Sequence, residues 1–308
     1  MQFSSDMTEH LEGERGDRAP LIILCPPRSF SSVVCGMLGQ HPQLYGLPEV
    51  NLFTADHLAG VLEAHRTRPH GLHGLLRALA QLHEGVQHED SVERAREWVE
   101  RRKHWSTSQV FAHICELTHP RIPVDKSPRT VMRTEFMQRA AKFFTDASYL
   151  HLTRHPRSTC VSTLSLLERN EEWGGTAKVS RIDPERIWCN AHQNIINFSN
   201  KLREGQSMRL KGEVLLSDPL CFLPQIAEWL GIRKDARAIE AMLRPEKSPF
   251  ACFGPNNAKY GNDPNYLNDP VLRIAKVREP NLDGPLEWAQ DRSFLPATRK
   301  LAKLFGYR

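Results

Sequence analysis

Short apolar runs alternate with amphipathic stretches along the first 230 residues of the chain. Four runs have the length of a buried strand, at residues 20–25, 121–125, 149–153 and 208–215. Helical patterns follow at Ser31–Gln40, Val161–Glu168 and Phe222–Leu230, the last of which is closed by Gly231. Strands that alternate with helices in this way predict an α/β layered fold around a parallel sheet.

Two long segments depart from this alternation. Residues 51–120 have helical character throughout, with apolar residues at helical spacing in Leu72, Leu75, Leu76, Leu79 and Leu82. Such an insertion is typical of a cap or substrate-binding region, and a packed helical layer without ligand contacts fits it equally well. Beyond about residue 245 the chain is rich in Pro, Asn and Gly, which predicts a long loop. Residues 1–19 are expected to form a mobile tail, and 20–308 a single domain with its insertion at about 54–120.

Polar clusters follow three of the predicted strands directly, at residues 26–32, 125–129 and 154–158. Ligands of parallel sheets bind at the carboxyl ends of strands, so the three clusters are expected to form one site. In the first cluster, a proline turn leads into a serine-rich helix start, where unpaired backbone amides and Arg28 suit a phosphate or sulfate group. The P-loop signature GxxxxGK[ST] is absent. A phosphate-like ligand is therefore expected without the usual nucleoside-triphosphate apparatus.

Composition narrows the range of partners. The 308 residues carry a net charge of +5 with Lys and Arg scattered, which favours an anionic ligand or an acidic partner protein over nucleic acid. The seven cysteines are odd in number and include no CxxC pair, so reduced thiols in a cytoplasmic protein are expected. No apolar run approaches membrane length, the N-terminal stretch has no apolar core of a secretory signal, and no convincing cluster of metal ligands is present.

Several of these segments resemble motifs of sulfotransferases that use 3′-phosphoadenosine 5′-phosphosulfate (PAPS). The run Pro27-Arg28-Ser29-Phe30-Ser31-Ser32 resembles their 5′-phosphosulfate loop, written PRSGST in bacterial members. The run from Arg154 to Ser162 resembles their 3′-phosphate motif, with Arg and Ser eight positions apart. Glu49 resembles the glutamate base of heparan sulfate O-sulfotransferases, and Asp125-Lys126-Ser127-Pro128 is similar to their active-site lysine segment.

Over residues 20–270 the chain is similar to sulfotransferase domains of polyketide assembly lines, of the curacin and olefin-synthase type. The shared segments include residues 74–82, Trp188 with residues 194–198, and residues 261–267. The resemblance implies a P-loop-like three-layer fold with a central parallel sheet and a helical substrate-binding insertion. Two departures stand out. Phe30 replaces the usual glycine, so the loop backbone is expected to avoid positive φ there, and the sequence after Leu267 lacks expected His and Ile-Asp positions, which leaves the substrate open.

The resemblance also implies roles for individual residues. Arg28, Ser29, Phe30, Ser31 and Ser32 would hold the 5′-phosphosulfate, and Arg154 and Ser162 the 3′-phosphate. Lys126 would bridge the moving sulfuryl group and the leaving oxygen, and Glu49 would accept the acceptor's proton, although a structural ion pair or a helix-start carboxylate also fits these two. His192, on one helix with Trp188, would orient substrate or act as a second base, or else be a satisfied buried histidine. Lys259 and Gly261 would close over the nucleotide, or belong to a structural loop.

The sequence thus predicts a cytoplasmic sulfotransferase that uses PAPS as co-substrate and no metal, with no nucleic-acid or membrane partner. The acceptor is expected to be a hydroxyl or amine of a specialised metabolite, either free or tethered to an acidic carrier protein. Two other classes remain open. A P-loop kinase or NTPase would need GK[ST] and a magnesium-binding Asp after a strand, and a silent nucleotide-binding scaffold would be expected to lack Glu49 and Lys126.

Overall fold

The computed structural model describes residues 19–169, 182–277 and 279–308. The centre of this part is a sheet of five parallel strands in the order β2-β3-β1-β4-β5. The strands are β1 (Leu21–Leu24), β2 (Leu44–Gly46), β3 (Ile122–Asp125), β4 (Ser148–Thr153) and β5 (Ser207–Lys211). The predicted α/β fold with a parallel sheet is therefore confirmed. The predicted N-terminal tail, apart from residue 19, lies outside the described residues.

Strand β1 divides the core into two layers. It is hydrogen-bonded to β3 on one side and to β4 on the other. Because side chains alternate along a strand, Ile22 and Leu24 enter one apolar core, whereas Leu21 and Ile23 enter the core on the opposite face. Since all strands are parallel, β1, β3 and β4 end at the same edge of the sheet, and the three polar clusters that follow them meet there, as predicted.

Helices cover both faces of the sheet. They are α1 (Ser31–Leu38), α2 (Leu58–Ala64), α3 (His73–Glu84), α4 (Glu89–Arg101), α5 (Thr107–Thr118), α6 (Thr134–Phe143), α7 (Pro156–Arg169), α8 (Pro184–Ser199), α9 (Gly212–Ser217), α10 (Pro219–Trp229), α11 (Ala236–Ala241), α12 (Pro264–Asn268) and α13 (Pro296–Leu304). Short 3₁₀ turns lie at Leu52–Thr54, Pro69–Leu72, Pro128–Met132, Pro245–Lys247, Asn256–Ala258 and Glu287–Ala289. Helices α2 to α5 form the helical insertion, and the leucine stripe of α3 is buried in the core.

The strand predicted at residues 208–215 is wrong in its second half. Strand β5 ends at Lys211, and helix α9 begins at Gly212. A side chain at Gly212 would come within 2.6 Å of the Phe30 ring, so the chain turns close beneath the first polar loop. The apolar residues that follow pack into the core as a helix instead. An apolar run of this length does not distinguish a buried strand from a buried helix.

Several further elements were not predicted, among them β2 and α13. Strand β2 has only three residues, too few for any periodicity to be visible. Helix α13 lies within the region predicted as a long loop, where it buries Leu301 and Ala302 beside Trp188 and Phe305 in a third apolar cluster. In the described part of the chain, no helix combines the length and apolarity needed to cross a membrane. None of the seven cysteines, all within the described residues, forms a disulfide, and four of them are buried in the core.

Candidate active site

The loop after β1 has an unusual backbone. Arg28 and Phe30 both adopt left-handed conformations, with φ of 67° and 63°, so the expectation that Phe30 avoids positive φ is wrong. The Arg154 guanidinium lies 4.2 Å from the centre of the Phe30 ring, and Gly212 leaves room for that ring on another side. These contacts offset the strain, which costs about 1–3 kcal/mol for a residue other than glycine. Phe30 precedes α1 without capping it by a side chain, so first-turn amides of the helix remain available to an anion.

A cavity of about 920 Å³ opens above this loop at the strand edge. Its lining includes residues 27–33, Glu49, Arg129, Arg154, Ser162 and residues 260–266. Three polar atoms in this wall are buried without a hydrogen-bond partner among the described residues: the donors Ser29 Oγ and Arg154 Nε, and the acceptor Asn51 Oδ1. An unsatisfied buried polar atom costs about 1–3 kcal/mol. A ligand rich in acceptor oxygens, such as a phosphate, would remove that cost for the two donors.

Lys126 connects three segments beneath the cavity. Its side chain is fully buried, and its Nζ donates to Ser32 Oγ at 3.0 Å, Glu49 Oε1 at 2.7 Å and Asn262 Oδ1 at 2.8 Å. An ammonium group has three donors, so each N–H of Lys126 has a partner. The carboxylate of Glu49 is 30% exposed and faces the cavity. The loop, the carboxylate and the late segment are therefore held together by one buried cation.

Close backbone packing fixes the position of Glu49. Its N–H donates to the Gly261 carbonyl at 2.7 Å. Gly74 lies directly against the Glu49 carbonyl, where any side chain would collide with it. Gly261 has φ of 121°, and a Cβ there would come within 2.9 Å of the Gly74 Cα. These glycines allow the insertion and the late segment to approach Glu49 closely.

Arg28 joins the two phosphate-type motifs. Its Nε donates to Ser162 Oγ at 3.0 Å, and its guanidinium forms an ion pair with Asp263. Arg154 Nη1 donates to the carbonyl of Arg28 at 2.6 Å. Burial and the neighbouring Arg154 lower the pKa of Arg28 to about 10, so it stays cationic at neutral pH. Two runs that are far apart in sequence thus form one cationic wall.

The sequence profile of the Sulfotransferase family matches residues 20–236. The chain belongs to the sulfotransferase family. The sulfotransferase domain from the curacin biosynthetic pathway has a TM-score of 0.75 at 20% identity, over 94% of this chain and 98% of that one. The sulfotransferase domain from the Synechococcus PCC 7002 olefin synthase has a TM-score of 0.74 at 24% identity, over 94% and 96%. These likenesses establish the P-loop-like fold. Comparison with curated proteins gave no match.

Not every predicted site residue reaches the cavity of this sulfotransferase. His192 is fully buried among Trp188, Phe305 and His151, with its Nδ1 2.9 Å from His151 Nε2. Burial lowers the pKa of His192 well below its usual value, so it stays neutral. Lys259 is exposed, and its ammonium lies 5.7 Å from the centre of the Phe253 ring. Neither residue lines the cavity, and Lys126 is likewise outside its lining, buried beneath it.

Asn262 and Asp263 are site residues that sequence reasoning missed. Both lie in the late segment, where Asn262 accepts a hydrogen bond from Lys126 and Asp263 forms an ion pair with Arg28. The Asp263 carboxylate also accepts a hydrogen bond from the Asn265 N–H at 2.9 Å, at the start of α12. An Asp before Pro ordinarily indicates a helix start. This role explained Asp263 by itself, so its ion pair with Arg28 was not predicted.

A buried network supports the 3′-phosphate-type motif from behind. The Arg154 carbonyl accepts from Trp188 Nε1 at 2.9 Å, and the N–H of His155 donates to Glu213 Oε1 at 2.7 Å. The hydroxyl of Tyr307 donates to Glu213 Oε2 at 3.0 Å. Burial raises the pKa of Glu213. The C-terminal end of the chain therefore helps to position Arg154.

Removing that hydroxyl tests this role. We expect Tyr307→Phe to lower the free energy of unfolding by about 1–3 kcal/mol, because one oxygen of buried Glu213 loses its donor. Binding of adenosine 3′,5′-bisphosphate should weaken by roughly fivefold, or about 1 kcal/mol, since Arg154 is less firmly held. Tyr149→Phe is the matched control, because the buried Tyr149 hydroxyl has no partner among the described residues. Equal effects of both variants on thermal unfolding and nucleotide calorimetry would contradict this role.

The buried carboxyl group of Asp125 makes the free energy of unfolding depend on pH. Burial is the main cause that raises its pKa from 3.8 to about 7, against the hydrogen bond from Ser127. Between these values the folded state keeps a proton that the unfolded state has released, so the free energy of unfolding falls as pH rises through this window. Asp125→Asn should remove that loss of stability. The melting temperature of the variant minus that of the parent should therefore be larger near pH 8 than near pH 5. A difference that does not vary with pH would contradict this assignment.

Proposed function

We propose that this sulfotransferase moves the sulfuryl group of PAPS to a hydroxyl or amine acceptor and releases adenosine 3′,5′-bisphosphate. The observation that carries the proposal is the union of two phosphate-type motifs in one cavity, through the bond from Arg28 to Ser162 and the bond from Arg154 to the Arg28 carbonyl. A kinase or NTPase would not require a second cationic motif at this position, and the lysine of GK[ST] is absent from the loop.

The residues of the cavity fit the charges of this donor. The loop of residues 28–32 and the open amides of α1 would hold the 5′-phosphosulfate. Arg154 and Ser162 would hold the 3′-phosphate. The unpartnered Ser29 Oγ and Arg154 Nε would gain acceptor oxygens in this arrangement. Phe30 contributes by supporting the Arg154 guanidinium with its ring.

Glu49 is proposed as the general base. It would take the proton from the acceptor hydroxyl or amine while the acceptor atom forms its bond to sulfur and the bond from sulfur to the phosphate oxygen breaks. Negative charge would then grow on the leaving phosphate, near Arg28 in the cavity wall and Lys126, which is buried beneath it. As in phosphoryl transfer, positioning and charge stabilisation supply most of the rate.

Lys126 must exchange partners for this role. Its three N–H groups are already used by Ser32, Glu49 and Asn262. Contact with an oxygen of the donor therefore requires the release of one of these. Release of Glu49 would free its carboxylate to accept a proton at the same time. Arrival of the donor and activation of the base would thereby be coupled through one ammonium group.

The acceptor is proposed to be a specialised-metabolite intermediate, either free or tethered to an acidic carrier protein. The similar structures are sulfotransferase domains from a biosynthetic pathway and an olefin synthase, and the net charge of +5 suits an acidic partner. The seven free thiols fit a cytoplasmic location. No residue of the proposed mechanism requires a metal.

Calorimetric titration with adenosine 3′,5′-bisphosphate, in parallel with ATP and magnesium, tests the donor. We expect the bisphosphate to bind and ATP–magnesium to bind at least tenfold more weakly, a difference of about 1.4 kcal/mol. Arg154→Gln should remove most of that preference, whereas exposed Arg209→Gln should keep it. Stronger binding of ATP–magnesium, or binding of neither nucleotide, would refute PAPS as the donor.

A further inference from the structure

The cavity lining contains more arginine side chains than its own carboxylates and the proposed donor would pair with. Among the described residues, its lining contains Arg28, Arg68, Arg129, Arg154 and Arg273, together with Glu49, Asp263 and Asp269. Each of these acids already has a cation: Glu49 pairs with Lys126, Asp263 with Arg28, and Asp269 with Arg273. Arg154 has a proposed place at the 3′-phosphate. Arg68 and Arg129 are left without a carboxylate partner in the described part of the chain.

These two arginines lie on the side of the cavity away from the 3′-phosphate motif. Arg129 belongs to the 3₁₀ turn that follows β3, and Arg68 immediately precedes the 3₁₀ turn Pro69–Leu72 of the insertion. Arg154 and Ser162 follow β4, and the β1 loop lies between β3 and β4 in the sheet. The pair therefore shares the β3 side with Glu49, where the acceptor must present its nucleophile.

The two charges act on one another. Burial lowers the pKa of Arg129 first, the charge of Arg68 lowers it further, and Glu49 opposes both. Two neighbouring guanidinium groups that lack their own carboxylate form a site suited to an anion, because each presents a planar fork of donors to carboxylate or phosphate oxygens. Such a site would also counter the repulsion between an anionic acceptor and the anionic donor in the same cavity.

Part of the remaining cavity lining is apolar. It is formed by Met132, Leu166, Leu167, Ile182, Val271 and Leu272. Met132 is 39% exposed and Val271 is 53% exposed, so part of this apolar surface is open to solvent. A ligand that pairs one anionic group with an apolar chain would cover this wall and neutralise the arginine pair together.

We propose that the acceptor is an amphiphilic anion, whose carboxylate or phosphate binds Arg68 and Arg129 while its apolar chain lies along this wall and its hydroxyl or amine faces Glu49. This assignment rests on the proposed function, since it names the acceptor class of the same site. A free hydroxy acid and the phosphodiester of a carrier's prosthetic arm both supply the required anion, and the probes below separate them.

The test uses unreactive probes on the full chain saturated with adenosine 3′,5′-bisphosphate, so that the donor subsite is filled. Decanoate, decyl methyl phosphate and decanol share one chain length and differ in their head group. We expect one of the two anions to bind at least tenfold more tightly than decanol, and Arg68→Gln/Arg129→Gln to bring the three within about threefold of one another. Arg66→Gln is the matched control, because Arg66 is exposed, lies outside the cavity lining and pairs with Glu63.

Preference for decanoate identifies a carboxylic acid, and preference for decyl methyl phosphate identifies a phosphodiester. Equal binding of decanol, a preference that survives in the double variant, or binding of no probe would overturn the proposal. Titration of the parent with the bisphosphate separates this failure from that of the donor assignment. If the parent binds the bisphosphate but shows no head-group preference, only the acceptor class is wrong, whereas failure to bind the bisphosphate would refute the donor assignment.

Discussion

Glu49→Gln is expected to lower turnover about 10²–10⁴-fold, the usual contribution of a general base. Glutamine keeps the shape of the side chain and an oxygen that can accept from Lys126, at the position where the ammonium now lies 2.7 Å from Glu49 Oε1. It cannot accept a proton from the acceptor. Binding of adenosine 3′,5′-bisphosphate should stay within about threefold of the parent, because the proposed contacts with its phosphates are made by other residues.

The measurement pairs transfer from PAPS with nucleotide calorimetry on the same preparations. Glu63→Gln is the matched control, since Glu63 is exposed on α2 and pairs only with Arg66 among the described ion pairs. It should leave both measurements unchanged. Normal turnover in Glu49→Gln would remove Glu49 from the mechanism, and loss of nucleotide binding together with turnover would assign it a structural role.

The sheet and the cationic wall could be predicted because their signals are local. Each buried strand is a short apolar run, and each phosphate-type cluster follows its strand directly. Parallel pairing alone then brings Arg28 and Arg154 to the same edge.

The backbone of Phe30 could not be predicted, because its partners are distant in sequence. The absence of glycine indicated an ordinary φ, yet the ring is held by Arg154 after β4 and by Gly212 after β5. Local propensity was outweighed by tertiary contacts. In the same way, Asn262 and Asp263 gain their roles only when the late segment returns to the strand edge and meets Lys126 and Arg28.

His192 illustrates a different limit of sequence reasoning. A histidine on a helix with aromatic neighbours fits either a base or a core residue, and the choice depends on which face of the helix meets the sheet. Helix α8 turns His192 toward β4 and α13, where His151 and Phe305 enclose it. The structure therefore favours the second of the two interpretations of His192 and leaves Glu49 as the only predicted base that lines the cavity.

Lys126→Met is expected to lower turnover about 10²–10³-fold, the usual cost of removing one group that stabilises transition-state charge. Methionine fills a similar volume beneath the cavity without a charge. Glu49 would lose its cation, but its carboxylate is 30% exposed and can be hydrated. Nucleotide affinity should fall less than turnover, because the contacts proposed for Arg28 and Arg154 with the phosphates are left intact. Pre-steady-state transfer assays with saturating PAPS separate the chemical step from binding.

Asn262→Ala is the control for the hydrogen-bond network alone, because it removes one of the three hydrogen bonds of Lys126, leaves the charge in place and has no proposed contact with the donor. It should cost far less turnover than Lys126→Met. The Glu49→Gln/Lys126→Met double variant tests the proposed exchange of partners. If donor contact by Lys126 frees Glu49, the two residues act as a unit, and the double variant should lose little more turnover than the worse single variant. Losses that multiply would show that Lys126 and Glu49 act independently, and the coupled activation would have to be abandoned.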